Sequence, residues 1–318
     1  MKSVILMSLT AMSATLLSSC NHKDLVYDTT LRNEVEVVFD WRNAPDANPA
    51  SMELRLHPSD NPEDVVNFIF QNKTGGALDA PVGNYTAVAL NADLTDWALT
   101  RYGEDPDRFT LYTPDAESLQ QSGISTRAIP RAQGSEDERL AQSPGMAWGD
   151  RIDNVSIHSY SGRQVITMYP EELVCHYTVD ILNVDHLQYL HGSDVDASLT
   201  GMAEGVYVGK NSSTEQPVTM MFTLSPQAES NSLHGEFLTF GEPDSDRMPH
   251  TLSFYLILND GTRWHFTSDV AQQIYNAADP RHVHIIVSDV SIPAPINAGT
   301  GIIPDVDEWE SVNIDLKM

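Results

Sequence analysis

Cysteine, positive charge and long apolar runs are all scarce in this 318-residue chain. Its two cysteines are Cys20 and Cys175, and the first closes an apolar leader, so the fold does not rest on a disulfide framework. Lys and Arg number 18 against 45 Asp and Glu, for a formal net charge of −27. Such a balance argues against nucleic acid as a partner, because phosphate contacts need clustered cations, and an anionic lipid surface would repel it as well. Motifs are missing too. There is no Gly-x-Ser-x-Gly elbow, no His-Glu-x-x-His pair, no phosphate-binding glycine loop and no Asp-x-Asp-x-Asp-Gly calcium loop. Neither a metal nor another cofactor is expected.

What is present begins with the leader. After Lys2 the chain runs uncharged through Val4, Ile5, Leu6, Met7 and Leu9 to Leu16 and Leu17, which is the pattern of a secretory signal and too short to stay in a bilayer as a spanning helix. It ends in Leu17-Ser18-Ser19-Cys20, which resembles the bacterial lipobox: an apolar residue, two small ones, then the cysteine that receives the lipid. One acyl chain binds a membrane marginally, whereas two or more hold it stably. On this reading residues 1–19 are a lipoprotein signal peptide, Cys20 is the lipidation site and residues 20–32 are a lipidated tether. The other reading is an ordinary signal peptide in which Cys20 is incidental. Cys175 would be alone after lipidation of Cys20, so no internal disulfide is expected.

Period-two alternation dominates the remainder. Val35, Val37, Phe39 and Trp41 share one face of a predicted strand over 34–41, and Met52, Leu54 and Leu56 alternate with Glu53, Arg55 and His57 in a second half-buried strand. Val66, Phe68 and Phe70 predict a third strand, Gly75-Gly76 a turn, and Tyr85 to Leu90 a fourth strand. Residues 114–149, with Pro114, Pro130, Pro144 and a charge cluster at 135–139, read as a long surface loop. Strand pattern resumes at 155–160 and 165–169, where a first domain (33–169) is expected to close. A second, 170–318, repeats the pattern through Cys175 to Ile181, 206–208, 218–224, 237–240, 252–258, 283–290 and the terminal Val312, Ile314 and Leu316. One short helix is expected near 269–278, with Asp269 as cap, Gln272 three residues on and Pro280 beyond the end. Short strands separated by Gly and Pro turns predict an all-β chain of two tandem antiparallel β-sandwich domains.

The candidates for chemistry are few. Cys175-His176 juxtaposes a thiol and a base in sequence, but neighbours in a strand point to opposite faces. His282-x-His284 puts two imidazoles on one strand face without a third ligand marked by motif. His186 and His191 lie among polar residues near Asp185 and Asp194. The acidic pairs Glu171-Glu172 and Asp105 with Asp107 are of the kind that an acidic chain supplies by chance. Trp41, Trp97, Trp148, Trp264 and Trp309 would stack on sugars only if exposed, with Trp41 expected in the core and Trp148 the best of the set. No catalytic residue is assigned, and no enzyme is expected.

Several stretches taken in order carry a resemblance. Cys20-Asn21-His22-Lys23-Asp24-Leu25, Val37-Val38-Phe39-Asp40-Trp41, Pro81-Val82-Gly83-Asn84-Tyr85 and Asn91-Ala92-Asp93 resemble a family of Bacteroidetes lipoproteins similar to fimbrium-anchoring subunits and fimbrillins. Ser198-Leu199-Thr200-Gly201-Met202-Ala203, Val206-Tyr207-Val208, His234-Gly235-Glu236-Phe237 and Phe240-Gly241 resemble the carboxy-terminal domain of the anchoring subunits. The resemblance implies two transthyretin-like domains, a lipid anchor on Cys20 in the outer membrane, and docking of other fimbrial subunits by β-strand addition. It implies no cofactor. Lys23-Asp24 partly resembles the signal that sends such lipoproteins to the cell surface, although a second acid is missing. In fimbrillin-like proteins a trypsin-like cut opens a groove, and Arg32, just before the first strand, is the candidate processing site here. The alternative function is that of a surface glycan-binding lipoprotein in a carbohydrate-uptake system.

Overall fold

The computed structural model describes residues 30–93, 100–102, 105–159, 162–227, 229–245, 247–295 and 309–314. The first half forms strands β1 (Arg32–Phe39), β2 (Met52–Pro58), β3 (Val66–Phe70), β4 (Gly75–Pro81), β5 (Gly83–Asn91), β6 (Thr100–Tyr102), β7 (Thr110–Tyr112), β8 (Arg139–Gln142), β9 (Trp148–Ile157), β10 (Gln164–Met168) and β11 (Glu171–Glu172). A three-stranded sheet, β10-β1-β4, faces a five-stranded sheet, β11-β9-β5-β2-β3. Alternation decides what lies between them: Val35, Val37 and Phe39 from one sheet meet Met52, Leu54, Leu56, Ala87 and Ala89 from the other.

Two expectations for this half are corrected. Gly75-Gly76, expected as a turn, instead opens β4. Gly75 lies opposite Val38 at φ +93°, and a Cβ there would stand 2.2 Å from the Val37 carbonyl oxygen, so only glycine fits. β2, expected to be half-buried, is covered on both faces. Glu53, Arg55 and His57 are buried, the Arg55 guanidinium lying 4.2 Å from the centre of the Phe109 ring and 3.3 Å from Glu53 Oε1. Their cover comes from residues distant in sequence, which alternation within β2 cannot report.

The second half continues with β12 (Cys175–Leu182), β13 (Val195–Ala203), β14 (Gly205–Tyr207), β15 (Ser212–Ser213), β16 (Pro217–Gln227), β17 (Ser232–Thr239), β18 (Thr251–Ile257), β19 (Arg263–Asp269), the helix α1 (Ala271–Tyr275), β20 (His282–Ser288) and β21 (Trp309–Asn313). These strands run in the order β20-β12-β17-β16-β13-β18-β19-β21, with β8 beside β16. β16 turns the corner: Val218 to Leu224 pair with β13, while Ser225 to Gln227 pair with β17. The sandwich closes over Tyr177, Val179, Leu199, Phe222, Phe237 and Phe254. α1 is the expected short helix; Asp269 Oδ1 accepts the Ala271 N–H at 3.0 Å, and Ile274 turns into the core. The chain is thus all-β, two tandem sandwiches with a small helix in the second.

Residues 114–149, expected as a surface loop, are structural. β8 pairs in parallel with β16, and Ala116, Leu119 and Ile129 pack on Met221 and Tyr255, so that β13 is buried on both faces. Proline and charge set the irregular backbone of this strap, but its apolar residues still find a sheet to cover. Between the halves, a four-stranded sheet, β15-β14-β7-β6, combines strands from both, and Val88 and Leu90 share a core with Phe109, Leu111, Val206 and Phe240.

Candidate strand-docking site

Strand addition requires a sheet edge whose backbone groups are unpaired. Two edges of the second sandwich are already satisfied by the chain itself. On β20, Gln273 Nε2 donates to the Ile286 carbonyl at 2.8 Å and Gln273 Oε1 accepts the Ile286 N–H at 2.8 Å. On β19, β21 pairs in parallel from Arg263↔Trp309 to Thr267↔Asn313, and the Ile314 N–H extends the ladder to the Thr267 carbonyl at 2.7 Å. Trp309 locks this strand to the strap by donating from Nε1 to the Ala128 carbonyl at 3.1 Å. Val312 and Ile314 pack on the core, as expected of a terminal strand, while Leu316 lies outside the described residues.

The first sandwich differs. β10 has β1 on one side and, among the described residues, no ladder partner on the other, and β11 covers β9 only at Trp148 and Gly149. Between β9 and β10 opens a cavity of about 270 Å³ walled by Val35, Ile152, Val155, Ile157, Val165 and Ile166. Val165 is 57% exposed there. Both ends of the seam are pinned. At one, Gln164 Nε2 donates to the Ser156 carbonyl at 3.0 Å, while its Oε1 accepts the His158 N–H at 2.8 Å and Asn33 Nδ2 at 3.1 Å. At the other, Asp150 Oδ2 accepts the Tyr169 N–H at 2.6 Å. Burial pushes the Asp150 carboxyl above the usual range, against the pull of the backbone donors of Tyr169 and Arg151. The result is an apolar slot held open between two sheets.

The residues singled out from sequence fall in different places. Cys20 lies outside the described residues. Arg32 is the first residue of β1, its Nε 2.7 Å from Asp79 Oδ2 and its Nη2 2.6 Å from the Asp79 carbonyl. A cut after it would leave Val35, Val37 and Phe39 seated in the sheet. Cys175 and His176 point apart: Cys175 packs against the core with its thiol pushed by burial up to about 11, whereas His176 bonds Glu172 on the outer face and stacks on His282 at 5.1 Å. That arrangement holds no thiolate next to a base.

His284 does acquire a partner that sequence reasoning missed. Asp180 Oδ2 is 2.6 Å from His284 Nε2 and Asp180 Oδ1 is 2.8 Å from His234 Nδ1, a contact set by the β12–β17 and β12–β20 registers. The Asp180 hydrogen bond raises His234 above the ordinary imidazole range. Alternation in each strand was the available signal, but registers between strands remote in sequence are not written in it. Among the described residues no His, Cys, Asp and Glu side chains are grouped for a metal ion.

His186 stacks on Tyr189 and bonds the Ile292 carbonyl, while His191 donates its backbone N–H to the Ile257 carbonyl and lines a hollow with Asp194. Glu171 bonds Asn43, Glu172 bonds His176, and Asp107 pairs with Arg151, so neither acidic pair converges on a substrate position. Trp41 and Trp148 meet edge to face, at 6.2 Å and 87°, rather than as a coplanar platform. Trp264 tilts against Phe266, Trp309 stands edge-on to Tyr255, and Trp97 lies outside the described residues.

Comparison with known proteins gives a family and a fold. A domain of unknown function, DUF5119, matches residues 19–223. No curated protein matches the sequence. Among solved structures, the chain is similar to a protein of Bacteroides ovatus described as a candidate adhesin, with 19% identity, a TM-score of 0.61, and coverage of 88% of this chain and 100% of that one. Weaker similarities reach the fimbrial anchor protein Mfa2 of Porphyromonas gingivalis (12% identity, TM-score 0.47, 80% and 89% covered) and a Bacteroides thetaiotaomicron protein described as a candidate polysaccharide-binding protein (11% identity, TM-score 0.46, 81% and 91% covered). With the family's match spanning more than half of its length, the chain belongs to the DUF5119 family.

Proposed function

We propose that this protein is a non-enzymatic, lipid-anchored subunit of a surface fimbrial or adhesive assembly, held in the outer membrane through Cys20 and docking its partner by β-strand addition. One observation carries the reading: the chain closes the β20 and β19 edges of its second sandwich with Gln273 and β21, yet among the described residues β10 has no second ladder partner beside an apolar slot in the first. An added strand at β10 would pair the free backbone and drop alternate side chains among Ile152, Val155 and Ile166, which is how strand addition obtains affinity and specificity. The domain boundaries expected from sequence, 33–169 and 170–318, would then assign docking to the membrane-proximal domain. An intact β1 behind Arg32 favours an anchor over a polymerising subunit, because a cut there leaves no strand-sized vacancy. The glycan-binding alternative has no supporting observation, since the described tryptophans form no coplanar platform.

The test is affinity isolation of the lipidated protein from its own cells, wild type beside Val165→Lys. The expected result is co-purification of envelope subunits with the wild type and their loss from the variant at unchanged melting temperature. Recovery of the same subunits with Val165→Lys would remove the β10 edge from consideration, and recovery of glycans alone would replace the reading.

A further inference from the structure

β3 ends the five-stranded sheet of the first sandwich, with β2 on one side and, among the described residues, no ladder partner on the other. Its residues, Val66-Asn67-Phe68-Ile69-Phe70, include no charge and no proline, and Ile69 is 61% exposed. An apolar edge of this kind is a template for another chain unless something blunts it. Other edges carry such devices. Gln273 bridges β20, and beside β17 the Ser143 hydroxyl donates to the Leu238 carbonyl at 3.0 Å and accepts its N–H at 2.9 Å. β4, which ends the other sheet, closes in Pro81 and carries Asp79, ion-paired to Arg32. No side chain among the described residues bonds the backbone of β3.

Two features say what fits this edge. Its faces are symmetric about Phe68: Val66, Phe68 and Phe70 pack on the sandwich core, while Asn67 and Ile69 are exposed on the other face. In an antiparallel pair of copies with Phe68 opposite Phe68, Val66 of each lies opposite Phe70 of the other, so apolar meets apolar across the ladder and the two cores run together. The flanks match in charge under the same two-fold. Glu63 and Asp64, both exposed, precede the strand and Lys73 follows it, so the acids of one copy come beside the lysine of the other, twice. None of the three is in a salt bridge among the described residues, and Lys73 Nζ donates to the neutral Ala47 carbonyl at 2.9 Å.

We propose that β3 is a self-association edge, on which a second copy of this chain docks its own β3 antiparallel about a two-fold axis at Phe68, joining two five-stranded sheets into one. Such a contact is isologous and uses up both edges, so it stops at two copies. It involves neither β10 nor its slot and does not depend on strand addition by another subunit. Five paired residues make a small interface, so the association is weak and concentration-dependent.

Sedimentation velocity on residues 21–318, which retain every described residue, is expected to show a reversible monomer–dimer equilibrium between micromolar and near-millimolar protein. Ile69→Lys alters one exposed side chain and should weaken the dimer about tenfold or more at unchanged melting temperature, because an edge lysine opposes pairing. Lys73→Glu, and separately Glu63→Lys combined with Asp64→Lys, should each weaken self-association about fivefold or more, whereas a mixture of these two variants should associate as tightly as the wild type, since charge then matches at both ends. Recovery on mixing is what a two-fold antiparallel pair requires, and non-specific aggregation does not produce it. A chain monomeric over the whole range, species larger than a dimer, a dimer indifferent to Ile69→Lys, or no recovery in the mixture would overturn the assignment.

Discussion

The side-chain amide of Gln273 occupies the place of a neighbouring strand at Ile286, giving one hydrogen bond to its carbonyl and taking one from its N–H, both at 2.8 Å. A single residue of a five-residue helix thereby blunts the β20 edge, where Ile286 is 41% exposed and would otherwise offer an apolar, unpaired edge to another chain.

Gln273→Ala should therefore act on two readouts. Two partly solvated hydrogen bonds contribute roughly 1–2 kcal/mol together, so denaturant unfolding should show a loss of about that size. Light scattering should show concentration-dependent association absent from the wild type. A monodisperse variant of wild-type stability would mean that the amide bridge protects nothing.

Deleting residues 311–318 removes most of β21 together with Val312 and Ile314, exposing the β19 edge and part of the second core. A melting temperature lower by several degrees is expected, since Val312 and Ile314 no longer cover that core. Should the deletion leave stability untouched but abolish subunit association, β21 would be a strand meant for another subunit, and the polymerising reading would replace the anchor.

His265 is 3% exposed and stacks on Tyr255 at 5.1 Å, and burial pushes its pKa from 6.5 down to about 4. The fold thus favours the neutral imidazole. Its contribution is complete above the unfolded value of 6.5 and is lost as pH falls through about 4, a decline worth up to about 3 kcal/mol between those limits. Unfolding curves at several pH values should show His265→Phe losing less stability than the wild type over this window. Parallel curves for the two proteins would refute the assignment.

Cys20→Ala tests the tether independently of the fold. The variant protein should leave the membrane fraction, or retain residues 1–19, while its circular dichroism stays that of a β-rich chain. Unchanged fractionation with membranes would exclude lipid on Cys20, and a mature chain from cells beginning at Asn33 would move the processing site to Arg32.

Alternation in Glu34 to Phe39 and in Cys175 to Ile181 was enough to place those strands and their inward faces, because side-chain direction in a strand is a property of the local backbone, but it carried the first strand too far: Trp41, expected on the same buried face, opens a short 3-10 turn and is half-buried. The same locality hid β4, where Gly75 and Gly76 carry turn signals and their need for glycine arises from Val37 across the ladder. It also made Arg55 look solvated, since Phe109 covers it from another sheet, and made the strap over β13 look like a loop, since Leu119 and Ile129 follow no period. Composition by itself established the acidic character of the chain, and alternation its all-β class. Only the tertiary structure decided which edges are closed, that Asp180 joins His234 to His284, and where the slot beside β10 lies, because registers and edge coverage depend on segments that meet after folding.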